Sequence, residues 1–186
     1  MNLKVYRKFV NTSNRRRILI RPMVADDRNA VVDMFKQASD DDLRFLYEDV
    51  RDETLVASWF ESLDYDRVLP LLALHNNTLI GDATLHRHTG GGRHTGELRI
   101  FLTRDFRGVG LGSLLLKELI QIAGALGLRY LLARVVSEQV SVVKAFRKLG
   151  FKRQAELDDF FMESDGTLHD VSMMIYSLAG EQEYTF

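Results

Sequence analysis

ELRIFLTRDFRGVGLGS, residues 97–113, reads as a strand that runs into a glycine-rich loop and then into a helix. The strand pattern ends near Thr103. Gly108, Gly110 and Gly112 follow at two-residue spacing. Leu115, Leu119, Ile122 and Leu126 then fall on one helical stripe, which Gly127 stops. Glycines let a backbone approach a ligand without Cβ obstruction. The unpaired N–H groups of a helix's first turn, together with the positive end of its dipole, favour an anion there. Arg107 stands at the loop entrance, and three glycines alternating with Val109 and Leu111 are more than a tight turn needs. The segment Arg107, Gly108, Val109, Gly110, Leu111, Gly112 and Ser113 is therefore a candidate pyrophosphate cradle.

Two common nucleotide patterns fit it poorly. The G-x-G-x-x-G fingerprint matches at Gly108 and Gly110 but meets Ser113 at its third glycine. No G-x-x-x-x-G-K-[ST] segment occurs. After the loop, the chain has one further helix–strand pair, too little for a doubly wound sheet.

Outward from the loop, strands are expected at 17–21, 68–74, 78–87, 96–103, 128–136, 151–162 and 169–178. The run from Leu128 to Val136, apolar apart from Arg129 and Arg134, reads as a strand buried on both faces. Helices are expected after Asp26–Asp27 (with Val31, Met34, Phe35 and Ala38 on one face), over 40–47, around Leu55, Trp59, Phe60 and Leu63, over 112–126, and over 138–149. The fold class is α/β (α+β), with a mixed sheet of about seven strands and helices on both faces. The 186 residues suit a single domain, 1–186, with a core at about 18–178, a short N-terminal extension and a C-terminal tail at 180–186.

Composition excludes several classes. There is no cysteine, so a thiolate nucleophile, a disulfide framework and a Cys-based zinc site are out, and a reducing cytoplasm fits. Net charge is −1, which does not suit a nucleic-acid partner; Arg15-Arg16-Arg17 reads as a solvated strand entry. No apolar run approaches the ~18 residues a membrane span needs, and no membrane partner is expected. His86 and His88 share a strand face by alternation and could sit near Glu97 across a hairpin, but with no third ligand at metal spacing no metal is expected. His75 and His169 read as turn residues without a specific role. The acidic run Asp40, Asp41, Asp42, Glu48, Asp49, Asp52 and Glu53 reads as a solvated surface. Its alternative is an acidic mouth that gathers cations.

With these residues in view, Arg107-x-x-Gly110-x-Gly112 resembles the acetyl-CoA signature [QR]-x-x-G-x-[GA] of the GNAT N-acetyltransferase superfamily. Ala145-Phe-Arg-Lys-Leu-Gly-Phe151 resembles the helix-to-strand junction that follows in those proteins. Ile18–Pro22 resembles their first strand. The likeness covers about 18–178. The opening Ile20-Arg21-Pro22 and the segment Ser137-Glu138-Gln139-Val140 look most like the protein-lysine acetyltransferase branch.

The resemblance implies a GNAT-like fold whose strand before the loop is splayed from its neighbour. It implies acetyl-CoA as cosubstrate, with pantetheine near Phe101, Leu102 and Thr103, pyrophosphate on the amides of Gly108 to Ser113, and further cofactor contacts at Gln139 and Phe146. It also implies direct attack by an amine, a small molecule or a protein lysine, in a ternary complex without metal. Glu97 takes the place of the base, ten residues before Arg107. An ammonium must lose a proton before it attacks, and a carboxylate within reach removes it. Two positions depart from the family. Gln139 replaces an asparagine and keeps the amide with one more methylene. Phe146 stands where many members have a tyrosine that protonates the leaving thiolate. Without that O–H the thiolate leaves unassisted, or water, Tyr130 or Tyr176 supplies the proton.

Three functions compete: an active N-acetyltransferase, a non-catalytic acyl-CoA-binding module, and a nucleotide-binding domain that uses the same loop. The last strand is apolar enough to support a homodimer.

Overall fold

The structure is a computed structural model, and it describes residues 3–178. The tail expected at 180–186 lies outside the described residues.

In chain order the elements are β1 (Lys8–Asn11), β2 (Arg17–Pro22), α1 (Arg28–Gln37), α2 (Asp40–Leu43), α3 (Glu53–Glu61), β3 (Val68–His75), β4 (Thr78–Arg87), β5 (Thr95–Leu102), α4 (Leu111–Ala125), β6 (Tyr130–Val136), α5 (Val140–Lys148), β7 (Lys152–Met162) and β8 (Leu168–Ser177). The strands order as β1-β2-β3-β4-β5-β6-β8-β7. β5 and β6 run parallel, whereas β1/β2, β2/β3, β6/β8 and β7/β8 are antiparallel. The sheet is mixed, as the alternation of hairpins and helix crossovers requires.

All seven expected strands form, and β1 is an eighth. It pairs with β2 from Lys8↔Ile20 to Asn11↔Arg17. Its side chains are mostly exposed, so it carries no hydrophobic alternation to read. β6 starts at Tyr130 rather than Leu128 and is not buried on both faces: Leu131, Ala133 and Val135 are buried, and Tyr130, Leu132 and Arg134 are partly open. α2 has one turn and ends at Leu43. In α3 the fully buried residues are Val56 and Ala57, with Trp59, Phe60 and Leu63 packed beside that cluster. The apolar last strand, β8, lies between β6 and β7, which accounts for its apolar residues: Val171 and Met174 are buried.

The chain divides into two compact units, Met1–Thr84 with Ile100–Leu116, and Leu85–Arg99 with Lys117–Phe186. In the first, α1 and α3 pack Val31, Met34, Phe35 and Val56 with Leu72, Leu79 and Phe101. The Phe35 and Phe101 rings are 5.2 Å apart. Leu102 turns the other way: its Cδ1 lies 3.5 Å from where a Cβ on Gly112 of α4 would stand. The end of β5 therefore has helices on both faces, and its apolar residues meet α4 as alternation requires. In the second unit β5 pairs with β6 only from Thr95↔Tyr130 to Glu97↔Leu132, less than half of either strand.

Candidate active site

The glycine-rich loop lies in the first unit. Gly108 and Gly110 have φ of 71° and 82°, a conformation in which an L side chain is strained. A Cβ at either would meet nothing within 4 Å, so conformation rather than crowding demands glycine there. Gly112 has a different reason. It opens α4 against Ile100 and Leu102, whose Cδ1 atoms lie 3.4 and 3.5 Å from its would-be Cβ. The first helical hydrogen bond runs from Leu114 N–H to Gly110 C=O, so the N–H groups of Leu111, Gly112 and Ser113 stand ahead of the helical ladder. The Val109 carbonyl accepts from both the N–H (3.0 Å) and the Oγ (3.2 Å) of Ser13. Arg16 stacks over Phe106 at 4.8 Å. The β1–β2 connection thus braces the loop, a role that no local signal in residues 12–16 discloses because the partners are 96 residues apart.

Arg107 does not extend toward open solvent as an anion hook. Its Nε donates to the Leu102 carbonyl (2.9 Å) and its NH1 to Asp42 Oδ1 (2.7 Å). Arg104 reaches the same oxygen at 3.2 Å. Asp42 is buried at its side chain. Its carboxyl is held down at about 2, first by the Ser39 hydroxyl and then by Arg107. Thr103 donates its N–H and its Oγ1 to the Ile80 carbonyl, both at 3.0 Å. Phe101 is buried. So Thr103 N–H and Leu102 C=O already have partners within the protein.

The acidic run is largely engaged as well. Asp40 pairs with Arg51, Glu53 with Lys36, and Asp52 caps α3 by accepting from Thr54 and Leu55 N–H. Asp40, Asp52 and Glu53 are exposed, so these pairs and this cap belong to a solvated surface.

Glu97 lies in the second unit and is 6% exposed, which rules out a solvated strand-end glutamate. Its Oε1 accepts from Arg99 Nε (3.2 Å) and from Arg134 Nε (3.1 Å) and NH2 (2.9 Å). Its Oε2 accepts from Arg134 NH2 at 3.1 Å. The β5/β6 ladder makes this possible: Glu97 pairs with Leu132, and Arg134 is two residues on, on the same face. Sequence reasoning did not find Arg134, because an arginine in a largely apolar run carries no signal until the register is known. The His88 N–H bonds the Thr95 carbonyl, and this register sets His86 across from Glu97. His88 itself is exposed and bonds Thr95 Oγ1 at 2.7 Å.

The remaining predicted residues are also in the second unit. Gln139 is the N-cap of α5 but makes no side-chain cap. Phe146 is 2% exposed, its ring edge-on to Phe151 at 5.0 Å, and Phe151 lies 5.2 Å from Tyr176. Position 146 thus anchors an aromatic row in the core. Tyr130 packs edge-on to His94.

Two histidine expectations need correction. His75 is the last residue of β3, and its Nδ1 lies 3.2 Å from the Arg17 carbonyl. His169 belongs to β8, is buried, and lies between two carboxylates: Glu138 Oε1 at 2.9 Å from Nδ1 and Glu163 Oε1 at 2.6 Å from Nε2. Among the described residues no group of three or more His, Asp or Glu is placed to hold a metal, and no helix is long and apolar enough to cross a membrane.

A family model described as the acetyltransferase (GNAT) family matches residues 32–151. The chain belongs to that family. Solved members share the fold. The GNAT domain of PAT from S. lividans superposes with a TM-score of 0.77 at 21% identity, over 92% of this chain and 96% of that one. The yncA protein of Salmonella typhimurium, solved with its cofactor acetyl-CoA, gives 0.74 at 22%, over 87% and 94%. A ribosomal-protein-alanine N-acetyltransferase from Brucella melitensis gives 0.74 at 25%, over 85% and 98%. A curated relative, YwnH of Bacillus subtilis (strain 168), provisionally named a phosphinothricin acetyltransferase, is 35% identical over 80 residues. Those residues are 43% of this chain, and the match spans about half the length of that relative. Acetyl-CoA is the cosubstrate of this family of acyltransferases.

Proposed function

We propose that this GNAT protein transfers the acetyl group of acetyl-CoA to a primary amine, a small cationic amine or a protein lysine, by direct attack within a ternary complex. The observation that carries the reading is the loop: two left-handed glycines hold a run of backbone amides at the start of α4 in a chain whose family uses acetyl-CoA. The amides of Gly110 to Ser113 bind the pyrophosphate, helped by the α4 dipole.

Glu97 is the base. Two guanidiniums pair with its carboxylate and fix where it stands. Three of its four hydrogen bonds fall on Oε1. Oε2 accepts one and keeps a lone pair for an ammonium proton or a relaying water. The proton leaves the amine for Oε2 and the amine nitrogen bonds the thioester carbon. The tetrahedral intermediate then collapses to the amide with loss of the CoA thiolate; the second proton released from the amine nitrogen reaches the thiolate through water, because Phe146 has no O–H to give.

Titration of acetyl-CoA into the protein by calorimetry, with NAD as comparator, tests the loop. Release of CoA thiol with a panel of amines tests the transfer. Binding of acetyl-CoA with thiol release supports the reading. NAD bound in preference to acetyl-CoA sinks it. Acetyl-CoA binding without release from any amine leaves the alternative, a non-catalytic acyl-CoA-binding module, which the buried Phe146 favours.

A further inference from the structure

The arginine run at 15–17 takes no part in the transfer just described, yet it sits beside the glycine-rich loop. It belongs to the turn between β1 and β2, and that turn is tightly tied. Thr12 is buried, and its hydroxyl accepts from Arg16 N–H at 3.0 Å and donates to Asn14 Oδ1 at 2.5 Å. Arg15 N–H donates to the Thr12 carbonyl at 2.9 Å. Ser13 docks the turn on the Val109 carbonyl, between Gly108 and Gly110. All of these residues lie in the first unit.

The three arginines differ in what engages them. Arg17 lies over the Phe9 ring at 4.0 Å. Arg15 and Arg16 pair with no carboxylate among the described residues. Arg16 is half-buried and held in place. Its guanidinium stacks over Phe106 at 4.8 Å, and its NH1 donates to the carbonyl of Asp105 at 3.4 Å, not to the carboxylate. Arg15 is exposed and has a φ of 63°, a conformation that glycine or asparagine adopts at less cost. A charged residue kept in a strained turn points to a role in binding. Two guanidiniums without acids, beside the loop that meets the pyrophosphate, make a positive field that favours a further anion. CoA carries one. The phosphomonoester on its ribose has a charge of about −1.5 to −2 at neutral pH, as phosphomonoesters do. Guanidinium forks suit its oxygens.

We propose that Arg16, with Arg15 beside it, binds the 3′-phosphate of the CoA ribose. The inference rests on acetyl-CoA binding at the glycine-rich loop. Residues 12–16 lie outside the stretch 32–151 that the family model matches, so the contact belongs to this chain's own N-terminal hairpin. It makes the protein select CoA over the form that lacks this phosphate, and it makes that selection sensitive to salt.

The test is calorimetry with CoA and with 3′-dephospho-CoA as probes, on wild type and on the double variant Arg15→Gln/Arg16→Gln. The wild type is expected to bind CoA about tenfold more tightly than dephospho-CoA, with a preference that shrinks as salt is added. The double variant should bind both probes as the wild type binds dephospho-CoA. Equal affinity for the two probes in the wild type overturns the inference and leaves acetyl-CoA binding at the loop standing. A wild type that binds neither probe overturns both. A double variant that keeps the preference overturns the inference. So does one that weakens both probes alike, because the arginines then act on the loop through the Ser13 brace. Phosphorus NMR of CoA bound to the wild type does not depend on any variant folding. The 3′-phosphate must titrate at lower pH when bound than when free, and a titration that stays in place also overturns the proposal.

Discussion

The proposed pyrophosphate cradle and the Glu97 cluster are built on opposite plans. The cradle is backbone. Its demands are two φ values, the exposed start of a helix and a bracing turn, and its one signature side chain, Arg107, is engaged inward with Asp42 and Leu102. The Glu97 cluster is side chain. One carboxylate and two guanidiniums set the chemistry, and the backbone only provides the register. Changes to the cradle should therefore alter how tightly the cofactor binds, and changes to the cluster should alter how fast the bound complex reacts.

The sharpest test of that contrast is Glu97→Gln. Turnover should fall about 10²–10⁴-fold, the usual contribution of a positioned general base, with acetyl-CoA affinity unchanged. The amide oxygen still accepts from Arg134, which keeps the fold. A parallel loss of acetyl-CoA binding would merge the two regions into one and break the comparison. Gly110→Ala should do the reverse. A Cβ there has open space, so the cost is the left-handed conformation alone, about 1–2 kcal/mol. If the loop relaxes out of that conformation, acetyl-CoA affinity drops roughly tenfold, since about 1.4 kcal/mol is tenfold. The rate at saturating acetyl-CoA should stay near wild type. Ser13→Ala is smaller. It removes the hydroxyl bond to the Val109 carbonyl but keeps the N–H bond, and about 1 kcal/mol or less is at stake. A few-fold weaker binding, read by the same calorimetry, would place the brace within the cradle.

The same contrast explains what the sequence disclosed. Glycine spacing and helical stripes are local signals, so the glycine-rich turn into α4 and all seven expected strands could be read from residues close together in the chain. Glu97 could be placed by its distance from Arg107, but its partners could not. Arg134 meets it only through the β5/β6 register, and Asp42 meets Arg107 across 65 residues. Ser13 belongs to the same class. β1 escaped because an exposed edge strand has no buried face and so no alternation. His169 was misread because Leu168 and His169 follow the turn signal at 163–166 closely. β8 runs from Leu168 to Ser177 and takes in His169, as the strand expected at 169–178 already did.

His169 supplies the smallest effect and the one most dependent on conditions. Its pKa is raised, chiefly by the hydrogen bond to Glu138 and further by Glu163, with desolvation opposing. The imidazolium is thus favoured in the folded protein. A group raised on folding contributes its full stability below the unfolded value, about 6.5 for histidine, and loses it as pH climbs through the higher folded value. The contribution should therefore be complete at pH 6 and fade above neutrality. Glu138 adjoins Gln139 at the start of α5, so the contact also fixes that turn against β8 and the end of β7. Thermal unfolding of wild type and His169→Asn over pH 5.5–9 reads the effect as a gap in Tm. The gap should be widest at the acid end and shrink with rising pH. A gap that grows with pH would mean that the neutral imidazole is the form this pair of carboxylates holds, and that one of the two carboxyls carries the proton instead.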